Sequence, residues 1–189
     1  MNRHFSISDR PRWRIGNTLR RHMSDSLRDW LLDESSLTRR LQSACSGRFH
    51  VELISLGWQR PFLNEAQALG VSPRQRALIR QVMLCCDDRP WVFARTVIPV
   101  RTLRRAQRRL VHLGARPLGE FLFSHPALQR SPIQVARIAA TSRLLASCAI
   151  ADEAAWGRRS VFRLGGHPLL VSEFFLPAMP SFQQRYSHE

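Results

Sequence analysis

Residues 77–100 read ALIRQVMLCC-DDRP-WVFARTVIPV, two apolar runs rich in β-branched and aromatic residues around a polar tetrad. Such a pattern predicts a β-hairpin over Ala77–Cys86 and Trp91–Val100, with Asp87-Asp88-Arg89-Pro90 as its turn. A turn position accounts for both aspartates more simply than a metal site does.

Working outward, Phe49 to Trp58 predicts a preceding strand, and Pro61 to Gly70 a polar loop with a short helix closed by glycine. Arg159–Leu164 and Pro168–Leu176 predict a second hairpin across Gly165-Gly166-His167. Near the start, Ser24–Glu34 and Leu37–Ala44 predict a helical hairpin, with Ser35 or Ser36 as a cap. Between the two β-hairpins, Thr102–Leu113 predicts an amphipathic helix with Leu103, Ala106, Leu110 and Leu113 inward and Arg104, Arg105, Arg108 and Arg109 outward. Pro117 opens a short helix through Phe123, and Ser131-Pro132 opens a longer one through Ile138 toward Ala149. The sum is an α+β fold, an antiparallel sheet flanked by helices. One domain over 25–178 is expected, with a basic, loosely held extension at 1–24, an Ala- and Ser-rich insertion at 139–155 and a polar tail at 179–189.

The chain has 189 residues, enough for one sizeable core, and no run of apolar residues long enough for a membrane helix. No secretory leader is evident, so a cytoplasmic protein is expected. All 29 basic residues are arginine. Without lysine there is no Schiff-base chemistry, no pyridoxal phosphate anchor and no phosphate-loop lysine. The net charge of +15 welcomes anions, whether a polyanion, a small metabolite or simply counterions around a solvated surface. The arginines of 102–113 lack the interleaved aromatics of a nucleic-acid platform, so no nucleic-acid partner is expected. Cys45, Cys85, Cys86 and Cys148 show no C-x-x-C spacing and read as buried small hydrophobes in a reducing compartment. The histidines have no partners at ligand spacing, and no metal is expected.

Three charges stand out because they lie on strand faces that otherwise read as core. By the two-residue period, Glu173 sits with Leu169, Val171 and Phe175, Arg80 with Leu78, Val82 and Leu84, and Arg95 with Trp91, Phe93 and Val97. An ionised group buried without a partner costs several kcal/mol, so these charges should pair with one another or await a charged ligand. One acid and two arginines leave a positive surplus suited to an anion.

Six stretches in order resemble the bacterial chorismate lyases of ubiquinone biosynthesis. They are Asp29-Trp30-Leu31-Leu32, Leu84-Cys85, Arg95-Thr96-Val97-Ile98-Pro99, Leu113-Gly114 through Pro117-Leu118-Gly119, Trp156-Gly157-Arg158-Arg159-Ser160, and Pro168 through Pro177. The resemblance covers Asp25 to Pro177. It implies one domain with a curved antiparallel sheet, helices on one side and helical flaps over an internal ligand cavity. It also implies a monomeric, cofactor-free enzyme that splits chorismate into 4-hydroxybenzoate and pyruvate. By position, Arg80 resembles the residue that grips the ring carboxylate, Glu173 the one facing the ring hydroxyl, and Arg95 the neighbour that holds the acid. Leu118 matches a cavity-lining position and Leu37 a flap residue, where a relative carries Met. The resemblance thus selects the three charges that strand parity isolates. The competing reading is a non-catalytic small-molecule-binding domain, akin to transcription-regulator effector domains; the helix-turn-helix that precedes those domains is not seen in this sequence.

Overall fold

The computed structural model describes residues 11–16, 18, 23–103, 110–145 and 154–180. Its centre is the hairpin quoted above, β3 (Ala77–Cys86) and β4 (Arg89–Pro99), in which β3 is buried along its whole length. Burial on both faces is why these strands read as almost unbroken apolar runs. The other strands are β1 (Arg14–Ile15), β2 (Phe49–Gln59), β5 (Leu128–Arg130), β6 (Gln134–Ile138), β7 (Ala155–Leu164) and β8 (His167–Phe175). They form one antiparallel sheet in the order β1-β6-β7-β8-β4-β3-β2, with β5 added beside β7. Gly165 and Gly166 both take positive φ, 56° and 82°, which lets two residues close the β7–β8 hairpin.

Helices α1 (Asp25–Leu32) and α2 (Leu37–Ala44) lay Leu27, Leu31, Leu37 and Leu41 against one end of the sheet face that carries Val82, Leu84 and Ala94. Ser24 caps α1 by accepting from the Leu27 N–H. The short helices α4 (Val100–Leu103) and α5 (Leu118–Phe123) pack on the other end of that face, against Leu78, Ile98, Phe162 and Val171. These four helices flank one side as expected. The opposite face is covered by α3 (Leu63–Leu69), over Ile79, Val97 and Leu170, and by Leu144 and Leu145, beside Met83, Phe93 and Phe174.

Four expectations change. The helix predicted to start at Ser131-Pro132 is a strand over its described first half, with Val135 paired to Arg158 and Ile138 to Ala155. Helix preference in this stretch is worth only tenths of a kcal/mol per residue, and β7 would otherwise lose its ladder partners on that side. The extension at 1–24 is held at Arg14–Ile15, which pair with β6, while the Trp13 ring meets Phe174 at a tilt of 58°. Part of the segment read as an insertion belongs to the core, through Leu144, Leu145 and Ala155. Lastly, Cys45 at the end of α2 forms a disulfide with Cys86 at the end of β3; among the described residues only Cys85 stays a buried free thiol of the expected kind, and Cys148 lies outside them. Adjacent strand residues point to opposite faces, so Cys86 reaches α2 while Cys85 lies among Met83 and Phe93 on the other side. For the helix predicted over Thr102–Leu113, residues 104–109 lie outside the described ones; Leu103, Leu110 and Leu113 are buried together.

Arg95 is also displaced from its expected role. It is in register with Ser172, whereas Glu173 is in register with Ala94, so the Arg95 side chain leaves the opposite face of the sheet from Glu173. There it forms a two-point ion pair with Glu65 of α3, Nε to Oε1 at 2.7 Å and Nη2 to Oε2 at 3.1 Å, over the Phe62 ring. Glu65 is buried and also accepts the Phe62 N–H at 2.8 Å, tying the first turn of α3 to the sheet.

Removing one partner of a buried ion pair leaves the other uncompensated. Arg95→Ala or Glu65→Ala should each lower unfolding stability by about 3–5 kcal/mol, and the apolar double replacement Arg95→Met/Glu65→Leu should recover most of that. Urea titrations of the three variants check this. The disulfide closes a loop over a sequence separation of 41. Reducing it, or replacing Cys45 by Ser, should lower stability by about 2–4 kcal/mol, read as a drop in the urea midpoint.

Candidate active site

Two neighbouring rows of side chains cross the α1–α2 face of the sheet. One runs Val82, Ala94, Glu173, Arg158 in register across β3, β4, β8 and β7; the next runs Arg80, Thr96, Val171, Ser160. Small or apolar Val82 and Ala94 precede the two charges of the first row, and Thr96 and Val171 follow Arg80 in the second, so a pocket opens over them with Arg80 toward one end and Glu173 and Arg158 toward the other. Its roof comes from two sides: Ser35, Leu37 and Thr38 from the start of α2, and Pro117, Leu118 and Leu122 from α5. The two halves of the roof touch at Gly119, where an added Cβ would lie 3.0 Å from Ser36 Oγ. A side chain at this position would press on Ser36 Oγ, which would have to shift by a few tenths of an ångström.

Arg158 organises one end of the pocket. The residue is 1% exposed; Nε donates to Glu173 Oε2 at 2.6 Å, and Nη1 donates to the carbonyls of Trp30 and Asp33 at 3.0 and 2.7 Å. Those carbonyls lie at the C-terminal end of α1, where the last turn leaves acceptors unpaired and a cation is favoured. The same guanidinium therefore fixes the carboxylate and seats the helical hairpin above it. Arg40 braces that hairpin from outside, bonding to Asp29 and Asp33 and lying over the Trp30 ring.

Arg80 holds the other end. It is 2% exposed and donates Nε to Gly114 O at 2.9 Å and Nη2 to Arg116 O at 2.8 Å. Among the described residues it has no carboxylate partner. Burial pushes its guanidinium down to about 10, because the charge has lost water without gaining a counterion. It remains cationic at neutral pH and would be stabilised by an incoming anion.

Of the residues singled out from sequence, Arg80, Glu173, Leu118 and Leu37 line this one pocket, and Arg95 does not. Parity and resemblance both passed over Arg158 and Arg130. Arg158 shares a strand face with Ser160 and Phe162, a signal that was readable, but the strand starts at Ala155, four residues before the predicted start at Arg159. Arg130 lies on a three-residue strand too short for a period to show.

A roofed, mostly apolar pocket with a braced carboxylate and, among the described residues, an arginine without a carboxylate partner has the chemistry to take a small organic anion. The fold is similar to that of the effector domain of PhnF from Mycobacterium smegmatis, at TM-score 0.53 and 16% identity over 77% of this chain and 90% of that one. A second structure, described as the PhnF C-terminal domain, aligns at TM-score 0.55 and 14% identity over 74% and 89% of the two chains. Sequence likeness is far closer elsewhere. The model of the chorismate lyase family matches residues 8–186, and the chain belongs to that family. Proteins named "Probable chorismate pyruvate-lyase" are 47% identical in Azoarcus sp., over 81% of this chain and 85% of that one, and 43% identical in Methylococcus capsulatus, over 82% and 97%.

Replacing Arg158 strands both Glu173 and the α1 carbonyls. Arg158→Leu should cost about 3–5 kcal/mol of stability, whereas Glu173→Gln keeps an acceptor for Nε and should cost clearly less; thermal unfolding of the two variants compares them.

Proposed function

We propose that the protein is a chorismate pyruvate-lyase, eliminating pyruvate from chorismate to give 4-hydroxybenzoate, the first committed step of ubiquinone biosynthesis. The observation that carries this reading is the pairing, in one roofed pocket of a chorismate lyase family member, of a counterion-free Arg80 with Glu173 held by Arg158. Chorismate is a cyclohexadiene with a ring carboxylate and, para to it, a hydroxyl-bearing carbon. Arg80 at one end and Glu173 toward the other suit those two groups.

The reaction breaks the ether C–O bond and the C–H bond of the neighbouring hydroxyl-bearing carbon, and the ring becomes aromatic. The enolpyruvyl methylene gains a proton and leaves as the methyl group of pyruvate, so atoms balance without an external oxidant or reductant. Much of the driving force resides in the substrate. The protein's part is to hold the reactive conformer in a dry pocket, with Arg80 on the ring carboxylate and Glu173 orienting the hydroxyl or relaying the proton. Leu37 and Leu118 exclude water from above. Arg95, paired with Glu65 across the sheet, supports the scaffold and touches no substrate.

The likeness to regulator effector domains, at 14–16% identity, concerns the fold alone and gives no ground for a purely binding role.

Purified protein incubated with chorismate should release 4-hydroxybenzoate, followed by ultraviolet absorbance, and an equal amount of pyruvate, followed by a coupled assay. Binding of 4-hydroxybenzoate without turnover would instead assign a binding role. Arg80→Ala should weaken 4-hydroxybenzoate binding by about 10- to 100-fold, the range for losing a charge-assisted hydrogen bond. Glu173→Gln separates proton relay, which predicts lost kcat, from orientation, which predicts near-normal turnover.

A further inference from the structure

Arg130 enters the pocket from β5, beside β7. Its Nε donates to Ser160 Oγ at 3.1 Å, its Nη1 donates to the Glu34 carbonyl at 2.8 Å, and its guanidinium lies over the Phe162 ring. It has no carboxylate within ion-pair distance among the described residues. Burial, with the repulsion of nearby Arg158 added, pushes this guanidinium below its ordinary range. The pocket thus holds three guanidiniums, Arg80, Arg130 and Arg158, against the single carboxylate of Glu173. Two positive charges await an anion.

The two are set apart by the sheet. Arg80 and Ser160 stand at opposite ends of one row across β3, β4, β8 and β7. Three strand spacings separate their backbones by about 14 Å, and each arginine head projects inward from its end. Arg130, anchored to Ser160, is at the Glu173 end. In chorismate the ether carbon is adjacent to the hydroxyl-bearing carbon, so a ring with its carboxylate on Arg80 and its hydroxyl at Glu173 must place its enolpyruvyl group toward that same end.

We propose that Arg130 binds the enolpyruvyl carboxylate of chorismate and so distinguishes the dianionic substrate from the monocarboxylate product. This rests on the lyase reading above. Arg130 holds the leaving group in line as the ether bond breaks and releases its charge partner when pyruvate departs. It contributes nothing to retention of 4-hydroxybenzoate, which lacks that carboxylate.

The test compares wild type, Arg130→Met and Arg130→Lys, measuring KM and kcat for chorismate and the Kd of 4-hydroxybenzoate by titration calorimetry. The expected result is a chorismate KM raised about 10- to 100-fold in Arg130→Met, an intermediate rise in Arg130→Lys, and 4-hydroxybenzoate affinity within about threefold of wild type in both. An unchanged KM, or equal loss of affinity for substrate and product, overturns the assignment, the second outcome marking Arg130 as a brace for the roof through Glu34. If Arg130→Met does not fold, the lysine variant alone decides by the same split. Failure of the wild type to turn over chorismate overturns the lyase reading and this inference together, whereas turnover without the split overturns this inference alone.

Discussion

The buried guanidinium of Arg158 is the contact on which the rest of the site depends. It neutralises Glu173 from one side and satisfies the carbonyls that end α1 from the other. A carboxylate inside an apolar pocket needs a fixed cation, and a helix end without water needs donors. One planar fork meets both needs, so the roof and the acid beneath it share one geometry. A lysine with a single point charge would not reproduce that arrangement.

The sheet contributes a strict division of labour between its faces. Arg158 and Arg159 are neighbours in sequence, yet the first serves the pocket, while the second crosses to the other face to bond Gln134 and lie over Trp13. Arg80 and Arg95, both on the central hairpin, divide the same way: one has no carboxylate partner among the described residues and faces the pocket, the other is paired with Glu65 and fastens α3. Buried charge here takes two forms. The Arg95–Glu65 pair fastens scaffold, the Arg158–Glu173 pair lines the pocket, and Arg80 lines the pocket with only backbone carbonyls as partners among the described residues.

The roof is held at several points of different kinds. The Cys45–Cys86 disulfide fastens the far end of α2 to the sheet, Arg40 braces α1 against α2, and Arg130 reaches the carbonyl of Glu34 between them. Leu37 and Thr38, at the near end of α2, face the pocket and meet α5 at Gly119. The C-terminal end of α2 is therefore covalently tethered, while the residues leading into its N-terminal end are held by the bonds of Arg158 and Arg130 to the Asp33 and Glu34 carbonyls.

The sequence by itself determined the two hairpins, the helical pair and the glycine-closed turns, because strand and helix periods and turn residues are local signals. It also determined that Arg80, Arg95 and Glu173 lie on apolar strand faces, since their neighbours two positions away are apolar; Arg80 and Arg95 are buried and Glu173 is partly so. Family resemblance then selected Leu37 and Leu118, which the pocket brings together with Arg80 and Glu173. Only the tertiary structure decided which charge meets which. Strand register sets Glu173 beside Ala94 and Arg158 rather than Arg95, and a shift of one residue reverses the face, which no single strand's pattern reveals. The strand at Gln134–Ile138 and the pairing of Cys45 with Cys86 were likewise decided by distant partners, β7 in one case and the end of α2 in the other. Local propensity is weak beside a ladder of hydrogen bonds, and contacts between residues far apart in the chain leave no mark on either segment alone.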